Sequence, residues 1–269
     1  SKTVKILNPL SGDLGVMRQS LVFQGLEAIS RNRNYKSTDL RFFELGRTYQ
    51  VNEKGQTQGY KETEHLSLWV TGRKVPVNWN AHDEHVDMFT LKEAVVALLE
   101  QVGVRSKVCE MVDEGGLLLE GNLIKIGNNV IVRFGHVHPD VTKTCNVDAP
   151  VFWADLLVKP LLKARKKRKL VAEDLPKFPS VKRDLSFILD KGVSFEVIKE
   201  VAFKAENKIL KNVSLFDVYE GDKLPKGKKS YALRYTLGDH SKTLEDKTIE
   251  KTMERILNGY KKQFQAELR

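Results

Sequence analysis

The sequence predicts an α+β protein made of two units, each with helices packed on an antiparallel sheet. Strand-like and helix-like runs alternate along the chain, and most successive strands are joined by hairpin-length turns, which disfavours a parallel doubly wound sheet. Charge is also unevenly distributed along the chain. The first 158 residues hold 18 basic and 19 acidic residues, whereas the remaining residues hold 27 basic and 16 acidic residues. X-Pro pairs near residue 178 favour extended backbone and mark a boundary. The predicted parts are residues 1–172, a linker at 173–177, and residues 178–269.

The composition indicates a globular protein without a membrane segment. Charged residues make up 30% and aromatic residues 8% of the 269 residues, which is typical of folded domains rather than disordered chains. No apolar run reaches the length of a membrane span, and the first residues lack the apolar core of a signal peptide. Cys109 and Cys145 are the two cysteines and lie far apart. We therefore expect a reduced, cytoplasmic setting and no membrane partner.

Hydrophobic periodicity predicts the elements of the first part. Leu21, Gly25, Leu26 and Ile29 recur at helical spacing, and the next predicted helix has a broader apolar face. The later segment that begins at His65 alternates polar and apolar residues, as a half-buried strand does. The predicted helices span 18–32 and 88–102, and the predicted strands span 39–51, 65–72, 117–119, 123–126, 130–137 and 151–157.

The last part alternates strands and helices in the order β-α-β-β-α-β, which is the ferredoxin-like split pattern. In its first strand, apolar residues such as Leu185 and Phe187 share one face. Ser194 is the expected N-cap of the first helix, and residues 243–246 (TLED) have the pattern of a capping box before a long helix. The predicted strands span 181–189, 213–220, 229–237 and 264–268, and the first helix spans 194–207.

Two helices can cover only one face of such a sheet, so the other face is predicted to be open. Lys182, Asp184, Ser186, Arg234 and Thr236 alternate with apolar residues that face the helices. An open face beside a lysine-rich turn can contact phosphates and exposed bases, although the stacking aromatics of RRM core motifs are absent. The candidate RNA-contacting residues are Lys182, Arg183, Ser186, Lys226, Lys228, Lys229 and Arg234.

A basic run lies between the two parts. Residues 159–169 hold seven basic residues and no acidic residue, which leaves residues 170–269 with a net charge of +4. Such a run occurs in nucleic-acid patches and equally in solvated interdomain linkers. For the segment 163–169 the sequence leaves both interpretations open.

Local motifs for metal binding and catalysis are weak. His82 with His85, and His136 with His138, form two pairs that could each share a face, but neither pair has further ligands at a metal-site spacing. No nucleophile, base and orienting group converge in any local motif. We therefore expect no metal site and no catalytic residue in this chain.

Arg18 and Arg47 are the strongest polar candidates in the first part. We interpret both arginines as salt-bridged residues at a subunit contact. The alternative is a transferase that uses both guanidinium groups in a pocket, because guanidinium groups clamp phosphates well.

Motifs in the first part carry a resemblance to a known family. They lie in order along the chain: 8–11 (NPLS), 17–21 (MRQSL), 43–49 (FELGRTY), Trp79, 87–92 (DMFTLK) and 135–139 (GHVHP). Together they resemble the synthetase-like region of the bacterial phenylalanyl-tRNA synthetase β subunits. The resemblance implies a class II synthetase-like antiparallel sheet flanked by helices.

The same resemblance implies a region without catalysis of its own. An active class II site clamps ATP with arginines in its second and third motifs, whereas Arg47 is followed closely by Gln50 and Val51, and no later glycine-rich stretch contains such an arginine. The family implies that the catalytic residues, ATP and magnesium belong to the α subunit, that this region helps to form an α2β2 heterotetramer, and that this chain holds no cofactor itself.

Motifs in the last part resemble the ferredoxin-fold anticodon-binding domain that ends the same β subunits. These motifs are 178–179 (FP), 183–186 (RDLS), 216–221 (FDVYEG), 227–230 (GKKS) and 243–246 (TLED). The likeness implies contact with the anticodon region of tRNA(Phe) and a role in ATP-dependent aminoacylation. The abrupt start of the chain suggests a fragment of a longer protein. A free-standing RNA-binding or regulatory protein built from the same two domains is the alternative.

Overall fold

The structure is a computed structural model that describes residues 3–52, 59–80, 82–104, 107–111, 116–165 and 177–269. Most of the predicted linker at 173–177 and of the basic run at 163–169 lies outside the described residues. The chain divides into two compact units, Ser1–Lys169 and Leu170–Arg269. No helix in the described part of the chain combines the length and the apolar composition needed to cross a bilayer.

The described strands of the first unit form one six-stranded sheet in which all neighbours are antiparallel. The strand order across the sheet is β1-β2-β6-β5-β4-β3. The elements of this unit are α1 (Val22–Asn34), β1 (Leu40–Asn52), β2 (Gly59–Thr71), α2 (Met88–Gln101), β3 (Lys107–Met111), β4 (Leu118–Ile126), β5 (Asn129–Val137), α3 (Pro139–Thr144), β6 (Val151–Leu157) and α4 (Val158–Ala164).

Helices cover both faces of this sheet. On one face, Leu26 of α1 packs with Trp69 and Trp153 from the adjacent strands β2 and β6. On the other face, Leu91 and Val95 of α2 pack in a second buried cluster with residues of β4, β5 and β6. Because successive side chains of a strand point to opposite faces, the same strands supply both cores. The predicted antiparallel sheet with flanking helices is confirmed.

The main elements of the first unit agree with the sequence, and the differences come from contacts with residues distant along the chain. The strand 151–157 has the predicted bounds, but the first helix begins at Val22 rather than at residue 18. The carbonyl of Arg18 accepts a hydrogen bond from the amide of Tyr49, which holds this backbone extended beside β1. α4 overlaps the first part of the basic run at 159–169, and its Leu161 is buried in the core. Pro160 fits there because the first turn of a helix needs no amide donor.

The second unit is a four-stranded antiparallel sheet with strand order β10-β7-β9-β8. Phe187, Leu233 and Tyr235 are fully buried with Ile198 and Ile256 of the two helices, so one face of the sheet is covered. The predicted ferredoxin-like order is confirmed. The elements are β7 (Val181–Asp190), α5 (Phe195–Ala205), β8 (Leu210–Tyr219), β9 (Lys228–Leu237), α6 (Asp246–Phe264) and β10 (Glu267–Leu268).

Of the two predicted helix starts in this unit, the structure agrees with one and contradicts the other. Ser194 is the N-cap of α5, although its side chain makes no capping hydrogen bond. The predicted capping box at 243–246 is wrong, because Glu245 is the N-cap of α6 and also makes no side-chain cap. Leu244 is buried in the core, and it anchors the chain before the helix begins.

Candidate functional sites

The uncovered sheet face of the second unit holds three of the seven sequence-predicted RNA candidates, Lys182, Ser186 and Arg234. Lys182, Asp184 and Ser186 of β7 pair with Thr236, Arg234 and Ala232 of β9. They alternate with the buried residues that pack under α5 and α6, so they point away from the helices. The surface that carries Lys182, Asp184, Ser186 and Arg234 is called the open face.

A fork-shaped ion pair occupies the middle of the open face. Arg234 donates from Nε to Oδ1 of Asp184 at 2.8 Å and from Nη2 to Oδ2 at 2.7 Å. The hydrogen bond from Arg234 lowers the pKa of Asp184, and the same bond raises the pKa of Arg234. This bidentate geometry fixes the plane of the guanidinium group.

The open face also carries aromatic rings under cations. The guanidinium carbon of Arg234 lies 5.2 Å from the ring centroid of Phe216, and that of Arg269 lies 5.0 Å from the centroid of Tyr219. Phe216 is 54% exposed. It sits where the register of β8 against β9 shifts between Leu215 and Asp217, and such a bulge can re-aim a side chain. Exposed rings under cations are suited to stacking on bases.

The remaining strand candidates are already engaged by neighbours. The hydroxyl of Ser186 lies 3.2 Å from that of Ser230. Arg183 donates to the carbonyl of Lys182 at 3.3 Å and to Asp246 at 3.5 Å. These contacts leave Arg183 and Ser186 exposed enough to be approached, but they also give both residues a structural role.

The three lysines near the turn have different environments. Lys226 is exposed, and Lys228 is bound to Asp190 through Nζ and Oδ1 at 2.9 Å. Lys229 is only 8% exposed, and its ammonium group lies 4.6 Å from the ring centroid of Tyr231. It shares the helix-facing side of β9 with Tyr231, so it lies off the open face.

Replacing Arg234 with glutamine should raise the pKa of Asp184 toward its ordinary value of 3.8, because the hydrogen bond from Arg234 is the largest cause of the lowering. A carboxyl group whose pKa is lower in the folded than in the unfolded chain stabilises the fold above its ordinary pKa. That stabilisation is lost as the pH falls through the folded value. NMR titration of the Asp184 side-chain carbon measures the change.

Asp239 provides an internal control for this titration. Hydrogen bonds from the backbone and side chain of Ser241 lower its pKa, so its midpoint should not move in the Arg234→Gln protein. Equal Asp184 midpoints in the unchanged and substituted proteins would contradict the proposed ion pair.

In the first unit, Arg18 and Arg47 are both held by carboxylates. Arg18 Nη1 lies 2.6 Å from Glu44 Oε1, and its Nε donates to the carbonyl of Arg47 at 2.9 Å. Arg47 bonds to Glu64 at 2.9 Å and to Glu62 at 3.5 Å, and these contacts raise the pKa of its guanidinium group. Both side chains are therefore salt-bridged, as the sequence interpretation expected. Their role at a subunit contact stays a prediction.

A buried polar row that the sequence did not predict crosses β1, β2 and β6. His65 Nδ1 lies 2.8 Å from Asp155 Oδ1, and its Nε2 lies 2.9 Å from the hydroxyl of Thr48. Ser67 donates to Asp155 at 3.2 Å. All four residues are buried. The sequence feature that could have indicated this row is Asp155, because a carboxylate inside the apolar run 151–157 requires a buried partner.

Three of the four histidines in the candidate metal-ligand pairs make structural contacts. His138 is the N-cap residue of α3 and accepts a hydrogen bond from the amide of Asp140. His136 stacks on Phe152 with ring centroids 4.9 Å apart, and burial lowers the pKa of its imidazole. His85 forms a backbone bridge with Arg73. Across the described ranges, no three histidine, cysteine or acidic side chains come together as a metal site.

Two sequence families match this chain. The family described as "Phenylalanyl tRNA synthetase beta chain CLM domain" matches residues 1–158. The family described as "Ferredoxin-fold anticodon binding domain" matches residues 176–269. The matches follow one another along the chain in the order that the motifs predicted.

Curated relatives match over nearly the whole chain. Phenylalanine–tRNA ligase beta subunits from Bacteroides fragilis and Syntrophotalea carbinolica are 41% and 34% identical, each over 99% of this chain and 33% of the relative. The chain therefore spans about a third of the length of these relatives. Among solved structures, a pyrrolysyl-tRNA synthetase from Desulfitobacterium hafniense aligns with a TM-score of 0.46 and 16% identity, over 61% of this chain and 53% of the other.

Proposed function

The chain belongs to the phenylalanyl-tRNA synthetase beta chain family, and we propose that it acts as the C-terminal part of a phenylalanine–tRNA ligase beta subunit. The observation that carries this proposal is the succession of the two family matches, at 1–158 and 176–269, along one chain. Residues 1–172 would form a scaffold without catalysis, and residues 178–269 would bind the anticodon region of tRNA(Phe). The relatives' names favour this role over a free-standing RNA-binding protein.

The open face supports the tRNA-binding part of the proposal. Single-stranded RNA loops are recognised by stacking of bases on aromatic or guanidinium planes and by phosphate contacts. Arg234 over Phe216 provides such a plane, and its orientation is fixed by Asp184. Exposed Lys182 and Lys226 have no ion-pair partner among the residues that the structure describes. The proposed RNA surface therefore consists of Lys182, Ser186, Phe216, Lys226, Lys228 and Arg234. Arg183 and Lys229 are left out, because both side chains lie on the helix-facing side of the sheet.

An exposed apolar strip supports the scaffold part of the proposal. β1 is an edge strand of the six-stranded sheet, and its outward-facing Phe43 and Leu45 are 77% and 70% exposed. An apolar strip on a sheet edge is a usual place for partner contact. We propose that this strip docks on the catalytic alpha subunit of a cytoplasmic α2β2 enzyme. That subunit would supply the ATP and magnesium chemistry.

Replacing both Phe43 and Leu45 with aspartate should lower co-purification with the alpha subunit at least about tenfold, because burying two uncompensated carboxylates in an apolar contact is costly. Co-expression of a tagged alpha subunit with the 269-residue chain measures retention. Phe216→Asp is the matched control, since it places the same charge on another exposed apolar residue. Failure of the unchanged chain to co-purify would count against the scaffold role, and full retention of the double variant would place the contact elsewhere.

The absence of catalysis can be tested with the same preparation. The chain alone should give no phenylalanine-dependent exchange between ATP and pyrophosphate, because Gln50 and Val51 stand where an ATP-clamping arginine would be expected, and nearby Arg47 is bound to Glu62 and Glu64. An exchange signal that follows the chain through purification would overturn the non-catalytic assignment.

A further inference from the structure

A large polar cavity lies on the sheet face of the first unit that packs against α1. Its volume is about 740 Å³, which falls within the range of small-molecule sites, roughly 300–1,000 Å³. Thr48, His65 and Asp155 of the buried polar row line it, together with residues of β5 and α4. Neither the exposed strip on β1 nor the open face of the second unit uses this cavity.

The acidic groups of the cavity are already engaged. Glu62 and Glu64 are bound to Arg47, and Asp155 accepts hydrogen bonds from His65 and Ser67. A cation that entered the cavity would have to compete with these contacts for each carboxylate. The acidic residues therefore give the cavity little capacity to bind a positively charged ligand.

Three basic groups of the cavity, unlike its acidic groups, have no partners among the described residues. Lys61 of β2, Arg133 of β5 and Lys159 of α4 are exposed and line the cavity from three different elements. None of the three has a hydrogen-bond or ion-pair partner within the described part of the chain. Arg133 is the cross-strand partner of Asp155, so its side chain leaves the sheet on the same face as the buried polar row. Three cationic side chains thus remain available for an anion.

The cavity also has an apolar side. Leu117, Leu157 and Pro160 line this side beside Trp153. An anionic ligand with an apolar body would match both the apolar lining and the three available cations.

We propose that this cavity binds a small organic anion, a carboxylate or phosphate ester attached to an apolar or aromatic body. Lys61, Arg133 and Lys159 bind the anionic group, and the Trp153 side accommodates the body. The row Thr48–His65–Asp155, whose polar groups bond to one another, forms a further part of the lining. The proposal does not depend on tRNA or alpha-subunit binding, so it can fail or succeed independently of the proposed function.

Phenyl phosphate is a suitable probe, with inorganic phosphate and phenol as its separated halves. NMR of the 269-residue chain should show a saturable shift of the Trp153 indole N–H on addition of phenyl phosphate, while the indole of exposed Trp79 stays in place. Assignment of the signal uses Trp153→Phe. Inorganic phosphate should bind more weakly than phenyl phosphate, and phenol should give no saturable shift.

Arg133→Gln should weaken binding of phenyl phosphate about tenfold, because it removes a charge-assisted contact. The double variant Lys61→Gln/Lys159→Gln should also weaken binding about tenfold. Lys143→Gln is the matched control, since Lys143 is an exposed cation of α3 outside the cavity, and it should bind within about twofold of the unchanged chain. The proposal is overturned if phenyl phosphate at about 10 mM leaves the Trp153 signal unmoved. It is also overturned if Lys143→Gln weakens binding as much as Arg133→Gln does.

Discussion

Replacing Gly25 with alanine should lower the stability of the first unit by about 2 kcal/mol or more. Gly25 lies on the buried side of α1, directly over the indole ring of Trp69, and an added methyl group would overlap Cε2 and Nε1 of that ring. Trp69 is itself buried and held by both neighbouring strands, so it cannot move aside without separating α1 from the sheet. This overlap outweighs the gain of up to about 1 kcal/mol that alanine brings to a helix.

Tryptophan fluorescence during urea unfolding reports this change selectively. The three tryptophans, Trp69, Trp79 and Trp153, all belong to the first unit. Glu27→Ala on the exposed side of the same helix is the control and should change the stability by less than about 0.5 kcal/mol. An unfolding midpoint of Gly25→Ala equal to that of the control would show that α1 does not pack on Trp69 as described.

Replacing Phe216 with alanine should weaken binding of a tRNA(Phe) anticodon stem-loop about tenfold, because one base–aromatic stack contributes about 1–3 kcal/mol. The exposed ring lies under Arg234, so alanine removes the stacking surface and also the support of the guanidinium group. Fluorescence anisotropy of a labelled stem-loop at fixed salt measures the affinity. Fixed salt is necessary because phosphate contacts make the affinity depend strongly on ionic strength.

Two further variants separate stacking from general surface effects. Phe216→Tyr keeps an aromatic ring and should bind within about threefold of the unchanged chain. Trp79→Ala removes a more exposed aromatic residue from the first unit and should leave the affinity unchanged. If Phe216→Ala binds as tightly as Trp79→Ala, the stacking role of Phe216 is wrong.

The sequence predicted elements best where one physical signal dominated. In β7 the alternation of Leu185, Phe187 and Leu189 with polar residues identified both the strand and its covered face, because burial on one side imposes a period of two. The apolar run that became β6 was predicted with its observed bounds for a similar reason. Such patterns depend only on neighbours along the chain, so they can be read directly from the sequence.

The sequence predicted elements poorly where distant contacts decided the outcome. β3 has no regular alternation and is specified by its pairing with β4. Tertiary packing also overrode local signals in two helices. Leu244 is buried and displaces the start of α6 from the expected cap, and Leu161 draws part of a basic segment into a helix.

The candidate sites also depend on contacts between distant residues, which local patterns do not predict. The alternation correctly indicated Asp184 and Arg234 as outward-facing residues, but not that they form an ion pair. The sequence did not identify Phe216 as a site residue, because a bulge in β8 interrupts the alternation that would predict which face its side chain occupies. Thr48, His65 and Asp155 come together from positions up to 107 residues apart, so no local motif could reveal them.

We propose that the open face of the second unit reads the anticodon loop of tRNA(Phe). Titration of the 269-residue chain with the tRNA(Phe) anticodon stem-loop, and with the same stem carrying a scrambled loop, tests it most directly. We expect tighter binding of the tRNA(Phe) loop, with an affinity that falls as salt rises and a preference that disappears in Phe216→Ala. Equal affinity for both loops, or a preference that survives in Phe216→Ala, would contradict the claim.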